Sequence, residues 1–298
     1  MRVPPPGAHG GDGPLVAAAL GVAPADVLDL SQSLNPVAPD VAAVVARHLD
    51  AIGRYPDPDA ATAALAGAIG VDEERLLLTN GASEAIALLA RELGGRVDEP
   101  EFSLLPRDGA VLWRSNPNNP SGVLAPTDAV ADVWDESFWP LATGTWSRGD
   151  ADRGAWVVGS LTKLLACPGL RLGYLIAPDA QSLGPVRAMQ PAWSVNGLAA
   201  DALPDLLSLV DLPGWAAEVA RLRATLVEVL ATAGLRAAPS DACWVLVDAP
   251  GLRDRLAPVG VVVRDCTSFG MPGWMRIAVT GRPGLDRLAH ALDQTGTT

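Results

Sequence analysis

The run SLTK (160–163), followed eight residues later by Arg171 in the segment GLRLGY, combines a hydroxyl, an amine and a fixed cation. A lysine directly after an apolar strand is unusual, because burying an ammonium ion is costly. One interpretation is a lysine whose amine reaches solvent at the strand end. The other is an amine that forms an imine and whose pKa is lowered by its surroundings. In that case Ser160 and Arg171 would supply a hydroxyl and a planar set of donors for a phosphate group.

Three further segments place polar groups at predicted turns. NGAS (80–83) lies between a strand and a helix, where backbone N–H groups and the helix dipole favour an anion. NPNNPSG (116–122) is a rare string that also predicts a turn. DESF (135–138) ends a predicted strand, and its first carboxylate could cap a helix or pair with a protonated ring nitrogen. Each of these segments is weak evidence when it is taken alone.

The chemistry needs a scaffold that brings strand ends together. Short apolar runs bounded by Gly, Pro or Asn predict strands that are buried on both faces of a mostly parallel sheet, at 75–79, 110–114, 131–134, 156–159 and 173–176. The helix after the first strand has Ile86, Leu89 and Leu93 spaced to face inward. Strands that alternate with helices in this way are typical of an α/β domain.

A second region begins near residue 200. A long helix with an apolar face ends at Gly234, and a final helix follows Pro283. Between them lie three predicted strands, at 244–247, 261–264 and 275–279. The sequence therefore predicts a large α/β domain followed by a small α+β domain. A ligand site would lie in the cleft between them, beyond the carboxyl ends of the strands.

Composition narrows the class of protein. The net charge of −12 argues against nucleic acid or anionic lipid as a partner. No apolar run reaches the roughly 18 residues of a membrane span, and residues 1–13 lack the apolar stretch of a signal peptide, so we expect a cytoplasmic protein. Three widely spaced cysteines (Cys167, Cys243 and Cys266) suggest neither a disulfide framework nor a zinc site, and we expect no metal.

Taken in order, NGAS, NPNNPSG, DESF, SLTK and RLGY resemble the motifs of the fold-type-I pyridoxal-phosphate (PLP) enzymes, in their histidinol-phosphate aminotransferase branch. The resemblance implies an aspartate-aminotransferase-like fold, PLP as the cofactor and a homodimer. It also implies a division of the chain into three parts. These are an N-terminal arm (1–40) that packs on the small domain and the partner subunit, a shortened PLP-binding large domain (41–200) and a small C-terminal domain (201–298).

The same resemblance implies roles for matching positions. Lys163 would carry PLP as a Schiff base and move protons at the substrate α-carbon, and Asp135 would pair with the pyridinium nitrogen. Asn119 would donate to the phenolic oxygen of the ring, and Phe102 would stack on the ring. The groups implied to hold the cofactor phosphate are Ala82, Ser83, Ser160, Arg171 and, from across a dimer interface, Tyr55.

Two departures from the family pattern bear on the reaction. Phe138 stands where aminotransferases of this branch commonly carry a tyrosine that hydrogen-bonds the ring oxygen. Its absence makes ordinary transamination a weaker expectation. The connection from Ser83 to Asn116 is also shorter than in the family. A shortened cofactor domain is expected to weaken PLP binding or dimer contacts.

Within the branch, four segments resemble the threonine-phosphate decarboxylases of cobalamin biosynthesis: HGG (9–11), LDLSQSLNP (28–36), PAWSVNGLA (191–199) and VRDCTSFGMPGWMRIAV (263–279). Those enzymes release CO2 from L-threonine O-3-phosphate and form (R)-1-aminopropan-2-ol O-2-phosphate. The resemblance implies that Arg264 and Arg276 bind the substrate, which has two anionic ends, and that His9 helps to bind its phosphate.

Two alternatives stay open. An aminotransferase that acts on histidinol phosphate or a related amino acid is supported by NPNNPSG and the paired arginines and opposed by Phe138. A non-catalytic or partner-dependent family member is suggested by the shortened cofactor domain. Decarboxylation and transamination differ in which bond at the α-carbon stands perpendicular to the ring, and the sequence does not show that angle.

Overall fold

Two β-sheets organise the chain, which the computed structural model describes over residues 3–98, 100–102 and 104–296. The strands in chain order are β1 (Leu28–Leu30), β2 (Leu76–Asn80), β3 (Trp113–Ser115), β4 (Val133–Asp135), β5 (Trp156–Ser160), β6 (Leu172–Ile176), β7 (Trp244–Asp248), β8 (Val261–Asp265) and β9 (Trp274–Ala278). The α-helices are α1 (Gly13–Leu20), α2 (Val41–Val45), α3 (Asp59–Ile69), α4 (Ala82–Leu93), α5 (Trp139–Thr143), α6 (Leu161–Leu164), α7 (Ala180–Met189), α8 (Gly197–Leu207), α9 (Leu212–Thr232), α10 (Leu252–Leu256) and α11 (Arg282–Thr295).

The larger sheet has the strand order β2-β6-β5-β4-β3, and of these five strands β6 runs against its neighbours. This confirms the predicted mostly parallel sheet. Alternate residues of β2 enter opposite hydrophobic clusters, since Leu76 and Leu78 pack on one face and Leu77 packs on the other. Burial on both faces explains why the strand is a continuous apolar run. The parallel arrangement also brings the carboxyl ends of β3, β4 and β5 to one edge of the sheet.

The smaller sheet has the order β1-β8-β9-β7, so a strand from the N-terminal segment completes a sheet that is otherwise C-terminal. Strand β1 pairs in parallel with β8, while β9 is antiparallel to β8 and β7. Helix α9 contributes to the hydrophobic cores of both sheets. Trp215 and Val219 pack in a core of the larger sheet, and Leu222, Leu226 and Leu230 pack in the core of the smaller sheet. The domain limits that the resemblance implies stay a proposal.

The connection between α4 and β3 is short and held by a few backbone bonds. Two isolated bridges pair Gly95 with Asp108 and Arg96 with Leu112. Over the described part of 94–112 the structure has no helix, and its only β contacts are these bridges. Separately, no helix within the described ranges is both long and apolar enough to cross a membrane.

Glu136 directly follows the last residue of β4 and is fully buried. Its two carboxylate oxygens accept hydrogen bonds from the Arg148 backbone N–H at 3.2 and 3.3 Å. Burial is the main cause that raises its pKa from an ordinary 4.5 to about 7. The folded protein therefore keeps this carboxyl protonated over a range in which the unfolded chain ionises it.

This difference makes the stability of the protein depend on pH. Because the folded state holds a proton that the unfolded state loses, stability falls as pH rises from about 4.5 to 7, by about 3 kcal/mol from this group. We expect Glu136→Gln to remove that loss. Denaturant unfolding at pH 5 and pH 8 measures it, with the exposed Glu74→Gln as the control. An equal pH dependence in Glu136→Gln and the wild type would contradict the assignment.

Candidate active site

A cavity of about 450 Å³ opens at the carboxyl ends of β3, β4 and β5, beside the start of α4. Ten of the twelve residues selected from the sequence line it, although they come from widely separated segments. The lining residues are His9, Ala82, Ser83, Phe102, Leu104, Ser115, Asn119, Asp135, Ser137, Phe138, Ser160, Thr162, Lys163, Arg171 and Arg276. A larger groove of about 900 Å³ lies elsewhere, and its described lining contains neither lysine nor histidine.

Lys163 enters the cavity from α6, the single helical turn that follows β5. Its ammonium lies 5.8 Å from the centre of the Phe138 ring. Burial, followed by the positive charge of Arg276, lowers its pKa from 10.5 to about 8. Lys163 is also the only lysine in the 298-residue sequence, a signal that motif reasoning did not use. Covalent chemistry by a side-chain amine therefore has to occur at this residue.

The lowered pKa predicts how covalent capture of PLP varies with pH. The neutral amine is the nucleophile, so capture should quicken about tenfold for each pH unit below 8 and level off above pH 8. Stopping the reaction with borohydride at set times and measuring the cofactor mass on Lys163 gives the rate. A rate that keeps rising to pH 10 would show an amine with an ordinary pKa.

Asp135 ends β4 and is buried at the base of the cavity. Its Oδ1 accepts a hydrogen bond from the Ser137 backbone N–H at 3.0 Å. Burial raises the pKa of this carboxyl, while the Ser137 hydrogen bond and the charge of Lys163 act in the opposite direction. A cationic partner would stabilise the ionised form of this buried carboxyl, and a protonated ring nitrogen could be that partner.

The start of α4 forms the anion-binding end of the cavity. Gly81 has a φ of 73°, and a Cβ there would lie 2.5 Å from Nη2 of Arg171, so glycine lets the guanidinium approach the helix start. The same Nη2 lies 3.5 Å from Oγ of Ser83. A Cβ on Gly173 would lie 2.3 Å from the backbone nitrogen of Ala82. The start of α4, the Ser83 hydroxyl and the Arg171 guanidinium therefore lie together in the cavity wall, which suits a phosphate.

Arg276 connects the two sheets across the cavity. It lies on β9 and is buried, its Nη1 donates to Oδ1 of Asn119 at 2.6 Å, and its Nη2 donates to the Ser31 carbonyl at 3.3 Å. Within the described residues its Nε has no hydrogen-bond partner. Burial lowers its pKa to about 10. Because Arg276 occupies the amide oxygen of Asn119, the amide NH2 is the end of Asn119 that can donate to a ligand.

Two aromatic rings shape the remaining walls. Phe102 contacts the exposed imidazole of His9 edge-on, with ring centres 6.3 Å apart. Phe138 packs edge-on against Trp244 at 4.6 Å, and the Trp244 indole N–H donates to the Pro120 carbonyl at 2.8 Å. The indole N–H of Trp244 is therefore already hydrogen-bonded to the protein. Phe138 has no hydroxyl, so it cannot supply the hydrogen bond that a tyrosine at this position would make.

Two of the selected residues lie outside the cavity lining. Tyr55 is 75% exposed and stacks on Trp193, with ring centres 4.4 Å apart. Arg264 is 1% exposed and donates to the carbonyls of Gly7 and Ala8 instead of facing the cavity. Within one copy of the chain, Tyr55 therefore does not contribute to the described lining of this cavity.

The structure adds polar residues that motif reasoning missed. Ser115 directly precedes NPNNPSG, accepts a hydrogen bond from the Asn119 backbone N–H at 2.9 Å and donates to the buried Glu101. Burial raises the pKa of Glu101 to about 7. Thr162 precedes Lys163 and donates to the Leu172 carbonyl at 3.1 Å. Its place beside NPNNPSG could have indicated Ser115, and its place within SLTK could have indicated Thr162. No sequence signal indicates that Glu101 turns toward Ser115.

The fold and the cavity together define a PLP-dependent enzyme of the aspartate-aminotransferase-like fold. Residues 102–292 match the family described as Aminotransferase class I and II, and the chain belongs to that PLP-dependent family. This confirms the fold class and the cofactor that the motifs indicated.

Its relatives include enzymes of two activities. It is 30% identical to a threonine-phosphate decarboxylase from Salmonella typhimurium, covering 96% of this chain and 95% of that protein. It is 28% identical to a histidinol-phosphate aminotransferase from Halorubrum lacusprofundi, covering 94% and 92%. A histidinol-phosphate aminotransferase from Sinorhizobium meliloti, solved in complex with pyridoxal-5'-phosphate, has the same fold, with a TM-score of 0.79 at 17% identity over 94% of this chain and 93% of that one.

Proposed function

We propose that the chain is a PLP-dependent decarboxylase that converts L-threonine O-3-phosphate to CO2 and (R)-1-aminopropan-2-ol O-2-phosphate in cobalamin biosynthesis. The observation that carries the proposal is that His9 and Arg276 line the same cavity as Lys163, in addition to the anion-binding end at α4. One anion-binding end suits the cofactor phosphate. The two further groups suit the carboxylate and the phosphate of a doubly anionic substrate. The identity to the Salmonella typhimurium enzyme supports the same choice.

PLP, when bound, supplies an electron sink for a bond broken at the substrate α-carbon. The residues of the chain do the rest. Lys163 holds the cofactor and returns a proton to the α-carbon after the carboxylate leaves as CO2. Its lowered pKa suits proton transfer near neutral pH. Asp135 keeps the ring nitrogen protonated, and Arg171 with Ser83 holds the phosphate.

The orientation of the substrate decides which bond breaks. Arg276 is held by Asn119 and the Ser31 carbonyl, so its guanidinium can fix the substrate carboxylate in one direction. The missing hydroxyl at Phe138 removes a donor that aminotransferases of this branch commonly use. Both features support decarboxylation in this proposal.

The proposed homodimer depends on one exposed face. Leu49, Ile52 and Tyr55 lie in one short segment and are all exposed, as is Trp193, on which Tyr55 stacks. Members of the family are typically homodimers. We propose that this face packs on a second copy, where Tyr55 reaches the cofactor phosphate of the partner subunit. Light scattering that shows a monomer at assay concentration would oppose this assembly.

The relatives also support a second candidate, an aminotransferase that acts on histidinol phosphate or a related amino acid. One experiment separates the two functions. PLP-loaded protein is incubated with L-threonine phosphate while CO2 is measured, and in parallel with histidinol phosphate while pyridoxamine phosphate is measured. CO2 release that the Lys163→Ala variant lacks would support the decarboxylase. Pyridoxamine phosphate without CO2 would support the aminotransferase and overturn the first proposal.

A further inference from the structure

Glu101 is a buried carboxyl in the irregular connection between α4 and β3. The residue is 2% exposed, and over the described part of 94–112 the structure has no helix that could hold it in place. Burying a carboxyl costs free energy unless hydrogen bonds replace those lost to water. Here Oε2 of Glu101 accepts two hydrogen bonds from Ser115 at the end of β3, one from the backbone N–H at 3.2 Å and one from the hydroxyl. The Glu101 side chain therefore binds this connection to the larger sheet.

The Ser115 hydroxyl links Glu101 to Asn119. A hydroxyl has one proton, and because that proton is donated to Glu101, the oxygen is left to accept. It accepts from the Asn119 backbone N–H at 2.9 Å. On its other side Asn119 is held by Arg276, whose Nη1 donates to Oδ1 of the amide at 2.6 Å. Glu101 thus sets the direction of the Ser115 hydroxyl, and with it the position of the Asn119 backbone.

The backbone at Glu101 also carries Phe102 to the cavity wall. Phe102 directly follows Glu101 and lines the cavity, whereas Glu101 itself is absent from the described lining. Nη2 of Arg107 donates to the Glu101 carbonyl at 3.0 Å. Glu101 is therefore held at both its side chain and its backbone, which limits the positions open to the neighbouring ring. An irregular segment without such contacts would have to be ordered at a cost in free energy each time a ligand binds.

Packing alone does not account for a carboxyl at this position, because a buried apolar residue would avoid the cost of removing the carboxyl from water. We propose that Glu101 is a positioning residue for the cofactor: through Ser115 it holds Asn119, and through its own backbone it holds Phe102, where each of them contacts the PLP ring. The inference rests on the proposed roles of Asn119 and Phe102 toward PLP. It does not depend on which reaction follows.

Two substitutions separate the hydrogen bond from the charge. Glu101→Gln keeps an oxygen that accepts from Ser115, whereas Glu101→Met has a similar size and no such oxygen. The measurement is the absorbance of PLP bound to the full chain as a function of pH. A hydrogen bond from Asn119 stabilises the ring oxygen in its anionic form, so weakening that bond should move the titration midpoint upward.

We expect Glu101→Met to raise the midpoint by about 0.5 to 1 pH unit and the Kd for PLP about 3- to 10-fold, the usual effect of losing one hydrogen bond. Glu101→Gln should raise neither quantity, and neither should the exposed Glu92→Gln, which is the matched control. Loss of the Glu101 charge by itself would act with the opposite sign and lower the midpoint in both Glu101 variants. That result, or an unchanged midpoint in Glu101→Met, would overturn the proposal.

A double-mutant cycle tests the route through Ser115. Ser115→Ala leaves the carboxyl in place and removes the hydroxyl, so it should raise the midpoint by a similar amount. Adding Glu101→Met to it should then change the midpoint little further, while two additive shifts would overturn the route. Failure of the wild type to release CO2 would count against the proposed function alone, because the absorbance of bound PLP is measured without substrate.

Discussion

Replacing Lys163 with alanine is expected to reduce turnover by at least about a thousandfold, the largest effect of any single substitution in this chain. The variant loses both the amine that holds the cofactor and the group that moves the proton at the α-carbon. No other side chain can take over, because the sequence contains no second lysine. The fold should persist, since Lys163 lies in the cavity and its backbone carbonyl still accepts the hydrogen bond from the Asn35 N–H at 3.0 Å.

Because the sequence contains a single lysine, the attachment of the cofactor can be measured directly by peptide mass. Borohydride treatment of the PLP-loaded wild type should add one cofactor mass to the peptide that contains Lys163, and Lys163→Ala should show no such peptide. Lys163→Arg is the matched control, because it keeps the positive charge but cannot form the covalent bond. We expect it to be as inactive as the alanine variant. Substantial turnover by either variant, with unchanged melting temperature, would show that another group does the chemistry.

Replacing Arg276 with alanine is expected to lower kcat/KM by about 100-fold or more, mainly through KM. A buried guanidinium that binds a carboxylate commonly contributes about 2 to 5 kcal/mol, and each 1.4 kcal/mol is a factor of ten. The substitution should also raise the pKa of Lys163, because the charge of Arg276 helps to lower it. The pH at which capture of PLP levels off should therefore move upward.

Arg276→Lys separates charge from geometry. It keeps the cation but loses the fork that binds Asn119 and the Ser31 carbonyl together. We expect the pKa of Lys163 to remain low in this variant while kcat/KM stays impaired. Steady-state kinetics and the pH dependence of PLP capture measure the two effects, and PLP affinity shows whether the cofactor site is intact. A kcat/KM for Arg276→Lys equal to that of the wild type would show that the guanidinium geometry does not orient the substrate carboxylate.

Much of the fold could be predicted from local patterns. Every strand of the larger sheet lies within a few residues of the apolar run that predicted it, because a strand buried on both faces has to be apolar throughout. The start of α4 after Gly81 was predictable from the turn signal, and the end of α9 near Gly234 was predictable from the glycine. The predicted limits of β3 and β4 were less accurate, because the limits of short strands depend on pairing with neighbouring strands.

The sequence by itself determined the elements, the family and the chemical groups, because each of these depends on residue type and short spacing. Lys163 shortly after β5 and Asp135 at the end of β4 are of this kind. Only the tertiary structure decided how those groups combine. Arg264 and Arg276 look alike in sequence, yet one binds the N-terminal arm and the other lines the cavity. The partners of a guanidinium lie hundreds of residues away in the chain, so they are selected by the packing of the two sheets and not by neighbouring residues.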